Sequence, residues 1–528
     1  MRLLPATIAL TIAFAATTAP TPAPAQQRLP DIGSSAGTLL GPVQQREYGQ
    51  MLLAQLRHYD YVLDDPLIDS WMRTLGNRLA AASDQPEQSC TFFMIKDRSI
   101  NAFATLGGYI GTNAGLVLAA GSEDEVAGVL AHEVAHVTQA HVLRGVERAQ
   151  RDSIPILLAM LGAVAVASQT DSRSSGNAAM AAVAGAQGLM VQRQIDYTRS
   201  NESEADRLGM RTLARSGYEP GAMATMFERM QAMSRTNQGG ERERMPDYMS
   251  THPVTTTRIG ETRQLAEQYK GRHGGAFATS GLAGNSLLLP PGLRPGGLDG
   301  GTPGAQFGWA RERLRALSAN TPTQAISEYG HLARSAPLDE AQRYGLAVAQ
   351  LEAGNGTEAA RGFEALLQSH PGDTWIELGL AQAQARQGRH AEADASFETL
   401  VQRMPRNRAV VLAYAETLVE RKTAATGRRA QDILRPLMAS SSQDPVFHRT
   451  FARASEIAGD PVRAGEAWAE TAFLNGRAEQ ALMQLNTLRR RDDLDYYARA
   501  RIDARIAAIT PTVLELRRQG IRDPDLHK

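Results

Sequence analysis

The chain of 528 residues is long enough for roughly three or four domains. Hydrophobic residues make up 43% and charged residues 21%, with a formal net charge of zero. That is the composition of a folded globular protein, and it offers no bulk positive charge for nucleic acid; the single cysteine, Cys90, excludes an intrachain disulfide.

The first residues, "MRLLPATIALTIAFAATTAPTPAPAQQ", read as a secretory signal peptide. Arg2 supplies the positive start, Leu3 to Ala15 an apolar core too short to span a bilayer, and Ala23-Pro24-Ala25 a cleavage site. Residues 1–25 are therefore expected to be removed, in a compartment that permits disulfides. Residues 26–45, rich in Gly, Pro and Ser, are expected to form an extended arm.

An amphipathic helix is predicted over 66–83, with Ile68, Trp71, Met72, Leu75 and Leu79 on one face. "TFFMI" (91–95) is a predicted strand. "NAFATLGGYIGTNAGLV" (101–117) reads as a strand or hairpin broken at Gly107 and Gly108. Two apolar runs, 154–167 and 178–191, are each too short to cross a membrane unaided. They read as a buried helical hairpin; the alternative is a lid that makes peripheral contact with a membrane. Residues 271–304 hold eleven glycines and four prolines without periodicity and are expected to be a linker.

Beyond the linker a period of 34 appears. Pro337, Pro371 and Pro405 share it, as do Tyr329, Phe363 and Phe397, and Ala325, Ala359 and Ala393. That is the period of tetratricopeptide helix pairs. The phase slips by six to Pro445, which predicts one longer loop. An all-α solenoid is expected over 305–528, with a face for protein partners.

The chemistry is concentrated in "SEDEVAGVLAHEVAHVTQAH" (122–141). Ser122-x-x-Glu125 is a capping box and predicts a helix start. On a helix His132 and His136 share a face, so both imidazoles reach one metal at about 2.0–2.1 Å. Glu133, turned about 100° away, is placed to hold a water without being a ligand. This is the H-E-x-x-H zinc hydrolase pattern, two ligands and a general base. Val129, Leu130, Ala131, Val134, Ala135 and Val137 make the helix apolar on most sides, so the histidines are expected to be buried and in need of partners. His141, about 140° round from His136, is expected to be structural. A third ligand is sought in "RSNESEADRLG" (199–209), where Glu202 and Asp206 share a helix face. Glu202 as ligand and Asp206 as acceptor for a histidine's other nitrogen meet both needs of such a site; Glu204 is the rival ligand.

Read together, His132-Glu133-Val134-Ala135-His136 and Glu202-Ser203-Glu204-Ala205-Asp206 resemble the gluzincin family of HtpX and the CAAX prenyl proteases. The signal peptide and the repeats are similar to that family's periplasmic branch. The resemblance implies a fold that is mainly α: a zinc metalloprotease domain of helices and a small β-sheet over 46–270, then the tetratricopeptide solenoid. It implies one Zn2+ on His132, His136 and Glu202, with Glu133 as base, and it places a family histidine and arginine at His252 and Arg258. It makes Asn101, Ala102, Phe103, Gly107 and Gly108 part of a substrate strand. The function implied is a periplasmic metalloendopeptidase acting on unfolded or misassembled outer-membrane proteins, with assembly machinery docking on the repeats. The competing expectation is a chaperone-like scaffold with a latent peptidase. His252 is expected either to close the zinc shell at rest or to support the oxyanion when swung aside.

Overall fold

The computed structural model describes residues 40–148, 198–236, 248–249, 252–273, 304 and 306–518. The leader, the apolar runs 154–167 and 178–191, and most of the expected linker lie outside the described residues. Among the described residues no helix is long and apolar enough to cross a membrane.

Helix α1 (Pro42–His58) opens the described chain, so the end of the expected arm is helical. Pro42 sits in the first turn, where its missing N–H is one the helix would leave unbonded anyway. Helix α2 (Pro66–Ala82) is capped by Asp65, whose Oδ1 accepts from the Ile68 N–H at 3.0 Å. The expected apolar face, Ile68, Trp71, Met72, Leu75 and Leu79, is buried along its whole length.

The sheet has three strands: β1 (Thr91–Ile95), β2 (Ala102–Ala104) and β3 (Tyr109–Asn113). β3 is central, parallel to β1 on one side and antiparallel to β2 on the other. The turn from β2 to β3 needs positive φ at Gly107 (75°) and Gly108 (81°), which glycine adopts without steric penalty. The stretch 101–117 is therefore a hairpin that ends early, because Ala114–Ala119 is helix α3 and not strand. Helix α4 (Glu123–Thr138) follows, and it is buried on nearly every side. Only half of the expected capping box forms. Ser122 Oγ accepts from the Glu125 N–H, but the Glu125 carboxylate turns to the Gly121 N–H (2.7 Å) and to Arg229.

After the undescribed segment come a helix through 198–215, helix Gly221–Thr236 and helix Thr256–His273. The last of these runs three residues into the expected linker. From Phe307 to Arg518 the described chain is a right succession of helix pairs. Tyr329, Phe363 and Phe397, the aromatics of the 34-residue period, are fully buried. The six-residue slip is explained by the turn Arg435–Leu437 and the loop to Asp444, which are inserted before helix Pro445–Ala458.

The array is docked on α2. Arg313, in helix Phe307–Leu317, forks onto Asp65 at 2.9 and 2.7 Å in a nearly dry interface. One turn along α2, Asp69 takes Arg408 at 3.0 Å from helix Arg408–Glu420. Arg98, after β1, reaches Glu328 at 2.7 Å and Ser318 Oγ at 2.9 Å. Phe307 packs its ring on Trp71, 6.5 Å between centroids. Gly304 closes the expected linker by donating to Glu123 Oε1 at 3.0 Å, so the last residue of that segment lies on the first turn of α4.

Burial alone would raise the Asp65 carboxyl, but the Arg313 guanidinium outweighs it and holds the group below the usual carboxylate range. Breaking a buried pair from one side costs about 3–5 kcal/mol. Asp65→Ala is therefore expected to lower the urea stability of the full chain by that order. A carboxylate whose folded pKa is depressed stabilises fully above its unfolded value, about 3.9, and loses that contribution as pH falls through the folded value. The gap between wild type and Asp65→Asn in urea melts should thus be constant above about pH 5 and shrink with acid below about pH 4.

Candidate metal centre

The site is built where α4 meets the helix through 198–215. These two backbones approach closely at Gly209, where an added Cβ would stand 3.0 Å from the His132 Cα and N. Glu202, Asp206 and Gly209 recur at i, i+4 and i+7, one helix face. The same glycine that permits the approach therefore aims both carboxylates at His132.

The two Nε2 atoms of His132 and His136 face each other at 3.0 Å. Glu202 lies across from both: Oε2 is 3.4 Å from His132 Nε2, and Oε1 is 3.5 Å from His136 Nε2. Tetrahedral ligands at 2.0–2.1 Å from a shared ion stand about 3.3–3.4 Å apart. The three separations thus match ligands around one common point. His252 adds a fourth donor, with Nδ1 2.9 Å from Glu202 Oε1. All four donor atoms lie within 4.8 Å of one another, and all four residues are buried.

Each of the inner side chains is held from behind. Asp206 Oδ1 lies 2.9 Å from His132 Nδ1. Arg258, in helix Thr256–His273, forks onto Asp206 with two bonds of 2.8 Å, and its Nη1 lies 2.9 Å from Glu202 Oε2. His136 is supported differently. Its Nδ1 meets His141 Nδ1 at 2.8 Å, and His141 Nε2 meets Glu204 Oε2 at 3.2 Å. Arg144 completes that chain, 3.0 Å from the same oxygen. Glu204, the rival ligand, therefore stands outside the inner cluster and acts on it through His141. Residue types and spacing did not reveal this relay; the only hint was a polar residue at 204 with a histidine and an arginine a turn beyond α4.

Glu133 is fully buried, and neither carboxylate oxygen has a hydrogen-bond partner among the described residues. The nearest charged donor is His252 Nε2, 3.7 Å from Oε1. An unpartnered buried carboxylate is costly, which is the mark of a group whose partner is a water or substrate atom. Charge tells the same story. The buried carboxylates of Glu202 and Asp206 face the Arg258 guanidinium, whereas Glu133 has no such partner. Burial tends to lower the pKa of His132, but the carboxylates of Asp206 and Glu202 outweigh it and push the imidazole up to about 10. His136 goes the other way: burial, and then the positive field of His132, hold it well below the usual histidine range. For Glu202 burial is again opposed, here by His132 and His252, and the carboxyl stays far below its ordinary value.

The edge of the sheet borders this cluster. The Asn113 N–H donates to Asn101 O and the Thr105 N–H to Tyr109 O, both at 2.9 Å. Residues 101, 103 and 105 thus turn their backbone groups toward β3, and 100, 102 and 104 turn theirs outward. Of the expected substrate strand, Ala102 belongs to this outward row, while Asn101 and Phe103 pair inward. Gly107 and Gly108 do not lie on a free surface. Gly107 is backed by the α1 backbone at Gln45 and Gly108 by Ser89 O.

These features define a buried cluster of histidines and a carboxylate, with a buried, unpartnered glutamate beside it and the β2 edge of the sheet near it. Residues 66–266 match peptidase family M48, and residues 351–401 match a tetratricopeptide repeat. Residues 66–266 are thus similar to an M48 peptidase domain, with a segment similar to tetratricopeptide repeats behind them. It is 40% identical over 241 residues to a protein of Vibrio cholerae, a stretch covering 46% of this chain and 48% of that one. It is 35% identical over 247 residues to the beta-barrel assembly-enhancing protease of Yersinia pestis, covering 47% and 49%. It is 34% identical over 252 residues to the protein of that name in Escherichia coli (strain K12), covering 48% and 50%. The chain spans about half the length of the curated relatives it matches.

The two glutamates give opposite expectations. Glu202→Ala removes a donor from the inner cluster and should lower divalent-metal affinity by well over about 100-fold. Glu204→Ala loosens only the support behind His136, and such outer partners are worth about 10–100-fold. A chelator-competition titration that ranked Glu204→Ala below Glu202→Ala would invert the assignment.

Proposed function

We propose that this chain is a zinc metalloendopeptidase. Zinc would be held by His132, His136 and Glu202, and Glu133 would be the general base. The observation that carries the reading is the buried, unpartnered Glu133 carboxylate beside three donors spaced for one ion. Two imidazole nitrogens and a carboxylate oxygen are a common catalytic zinc set. Bound there, the ion would polarise the scissile carbonyl and bring the pKa of a water down to about 7.

The protein's own groups do the rest. Glu133 takes the proton from the attacking water and returns it to the leaving amine. Its full burial keeps bulk water from competing for that proton. Asp206 fixes the tautomer of His132 through Nδ1, and Arg258 holds Asp206 and Glu202 in register. His252 is placed to fill the fourth position at rest and, swung aside, to donate to the oxyanion of the attacked carbonyl.

Substrate would lie extended on the outward row of β2, pairing with the N–H and C=O groups of Ala102 and Ala104. Such pairing ignores side chains, so it favours segments that are unfolded or not yet assembled. The relatives named for β-barrel assembly support outer-membrane proteins as that substrate class, and the signal-like leader supports the periplasm as the place. The repeats support docking of assembly partners. The layout that fits these roles is a leader over 1–25, a peptidase unit over 46–270 and a repeat unit from 305.

The test is metal content and casein cleavage by the full chain. Wild type should hold about one zinc per chain, and His132→Ala and His136→Ala should lose it. Glu133→Gln should keep the zinc and lose cleavage by about 10²-fold or more, because it removes the base and leaves the ligands. Loss of zinc in Glu133→Gln would overturn the roles. If Glu133→Gln still relieves envelope stress as well as wild type does, the scaffold reading replaces this one. His252→Ala should change cleavage, upward if it is a latch and downward if it supports the oxyanion.

A further inference from the structure

We propose that Phe227 is a positioning residue of the metal cluster: its ring supports the face of the Arg258 guanidinium and so sets the plane in which Arg258 holds Glu202 and Asp206. The inference rests on the peptidase reading above and deepens it.

The need for such a residue follows from the shape of the guanidinium. Its N–H groups all point outward in one plane, so hydrogen bonds reach only its edge. In Arg258 that edge is in use. Nε and Nη2 donate to the two oxygens of Asp206 at 2.8 Å each. Nη1 donates to Pro253 O at 2.9 Å and lies 2.9 Å from Glu202 Oε2. These bonds fix where the group sits within its plane. A small tilt about the axis of the fork leaves the donor–acceptor lengths nearly unchanged, so the bonds to Asp206 do not by themselves fix that tilt. The same tilt carries Nη1 away from Glu202. Against the face of the guanidinium stands the Phe227 ring, its centroid 5.2 Å from the central carbon of Arg258. The negative face of an aromatic ring attracts the cation, and the attraction grows where water is excluded. Phe227 is fully buried, and Arg258 is buried with it.

The fold builds the position. Gly128 lets α4 touch helix Gly221–Thr236, since a Cβ there would stand 2.9 Å from Met223 Cα. His132 lies four residues past Gly128, and Phe227 four past Met223, so each sits one turn along from the crossing on the same face. The two rings stand almost perpendicular, at 88°, with centroids 6.3 Å apart. Phe227 therefore touches both ends of the chain from Arg258 through Asp206 to His132. Its neighbours make the residue type informative. Met223, Met226 and Met230 are also fully buried, and methionine fills space without holding a direction. The one aromatic ring of this helix stands where it faces the charge. A further methionine or a leucine would satisfy packing alone.

The experiment drains the ring face while leaving its size nearly the same. Mono-, di- and trifluorophenylalanine are placed at position 227 of the full chain, and zinc release to a chromophoric chelator is timed. Release should quicken with each fluorine. Phe227→Leu, which has no ring face, should release zinc about tenfold faster than wild type, within the range of an outer partner. A second arm reads the metal-free chain. Its urea midpoint should fall stepwise along the same series, and the fall should vanish in Arg258→Gln, where no cation faces the ring. Release rates that stay flat along the series, or a stepwise fall that persists in Arg258→Gln, would overturn the proposal. If wild type binds no zinc, the peptidase reading falls, and the urea arm still decides whether the ring holds Arg258. Normal zinc binding with release that ignores the fluorines refutes this inference alone.

Discussion

Arg258 and Asp206 form the buried ion fork on which the site depends. Three helices far apart in sequence meet there. Arg258 brings helix Thr256–His273, Asp206 brings the helix through 198–215, and Asp206 then holds His132 on α4. A buried charge pair is stabilising only when its remaining hydrogen-bonding capacity is met, and here it is. The guanidinium gives two bonds to Asp206, lies 2.9 Å from Glu202 and donates to Pro253 O. The bond to Pro253 places the residue next to His252. One guanidinium thus sets the Glu202 carboxylate, through Asp206 the orientation of His132, and the backbone next to His252.

The second constraint is α2. One face of it packs in the core against α4, and Trp71 Nε1 donates to Glu123 Oε2 at 2.8 Å in the first turn of that helix. Tyr218 OH and the Gly304 N–H meet the other oxygen of the same carboxylate. Beside that face α2 carries Asp65 and Asp69, which the repeat array grips through Arg313 and Arg408. Array, α2 and α4 are therefore packed together, and the core is continuous from the helices of the metal cluster into the repeats.

The sheet is small because its role is local. Three strands put the β2 edge beside α4, and the tight glycine turn at 107–108 is sealed under α1. An exposed edge is a standing invitation to pairing. Here it is kept to three residues, of which Ala102 is fully buried.

What the sequence determined by itself was what short spacing determines. His132, Glu133 and His136 are set by one helix, the apolar face of α2 by the 3.6-residue period, and the repeats by a 34-residue period in which each unit buries the next. Glu202 and Asp206 were legible as a pair because i and i+4 share a face. The tertiary structure decided the rest. Glu202 and not Glu204 enters the cluster because Gly209 sets how the two helices cross, and no spacing within 199–209 contains that crossing. The His141–Glu204 relay and the Asp65–Arg313 fork join residues 63 and 248 positions apart. The early end of the hairpin at Asn113 was missed because the glycines of 107–115 blur the strand pattern, and the start of helix α1 because 26–45 was read as one Gly/Pro/Ser-rich segment although Pro42 suits a first helical position. Which backbone groups of 100–105 face outward followed from the pairing register with β3, and register is a property of two strands together.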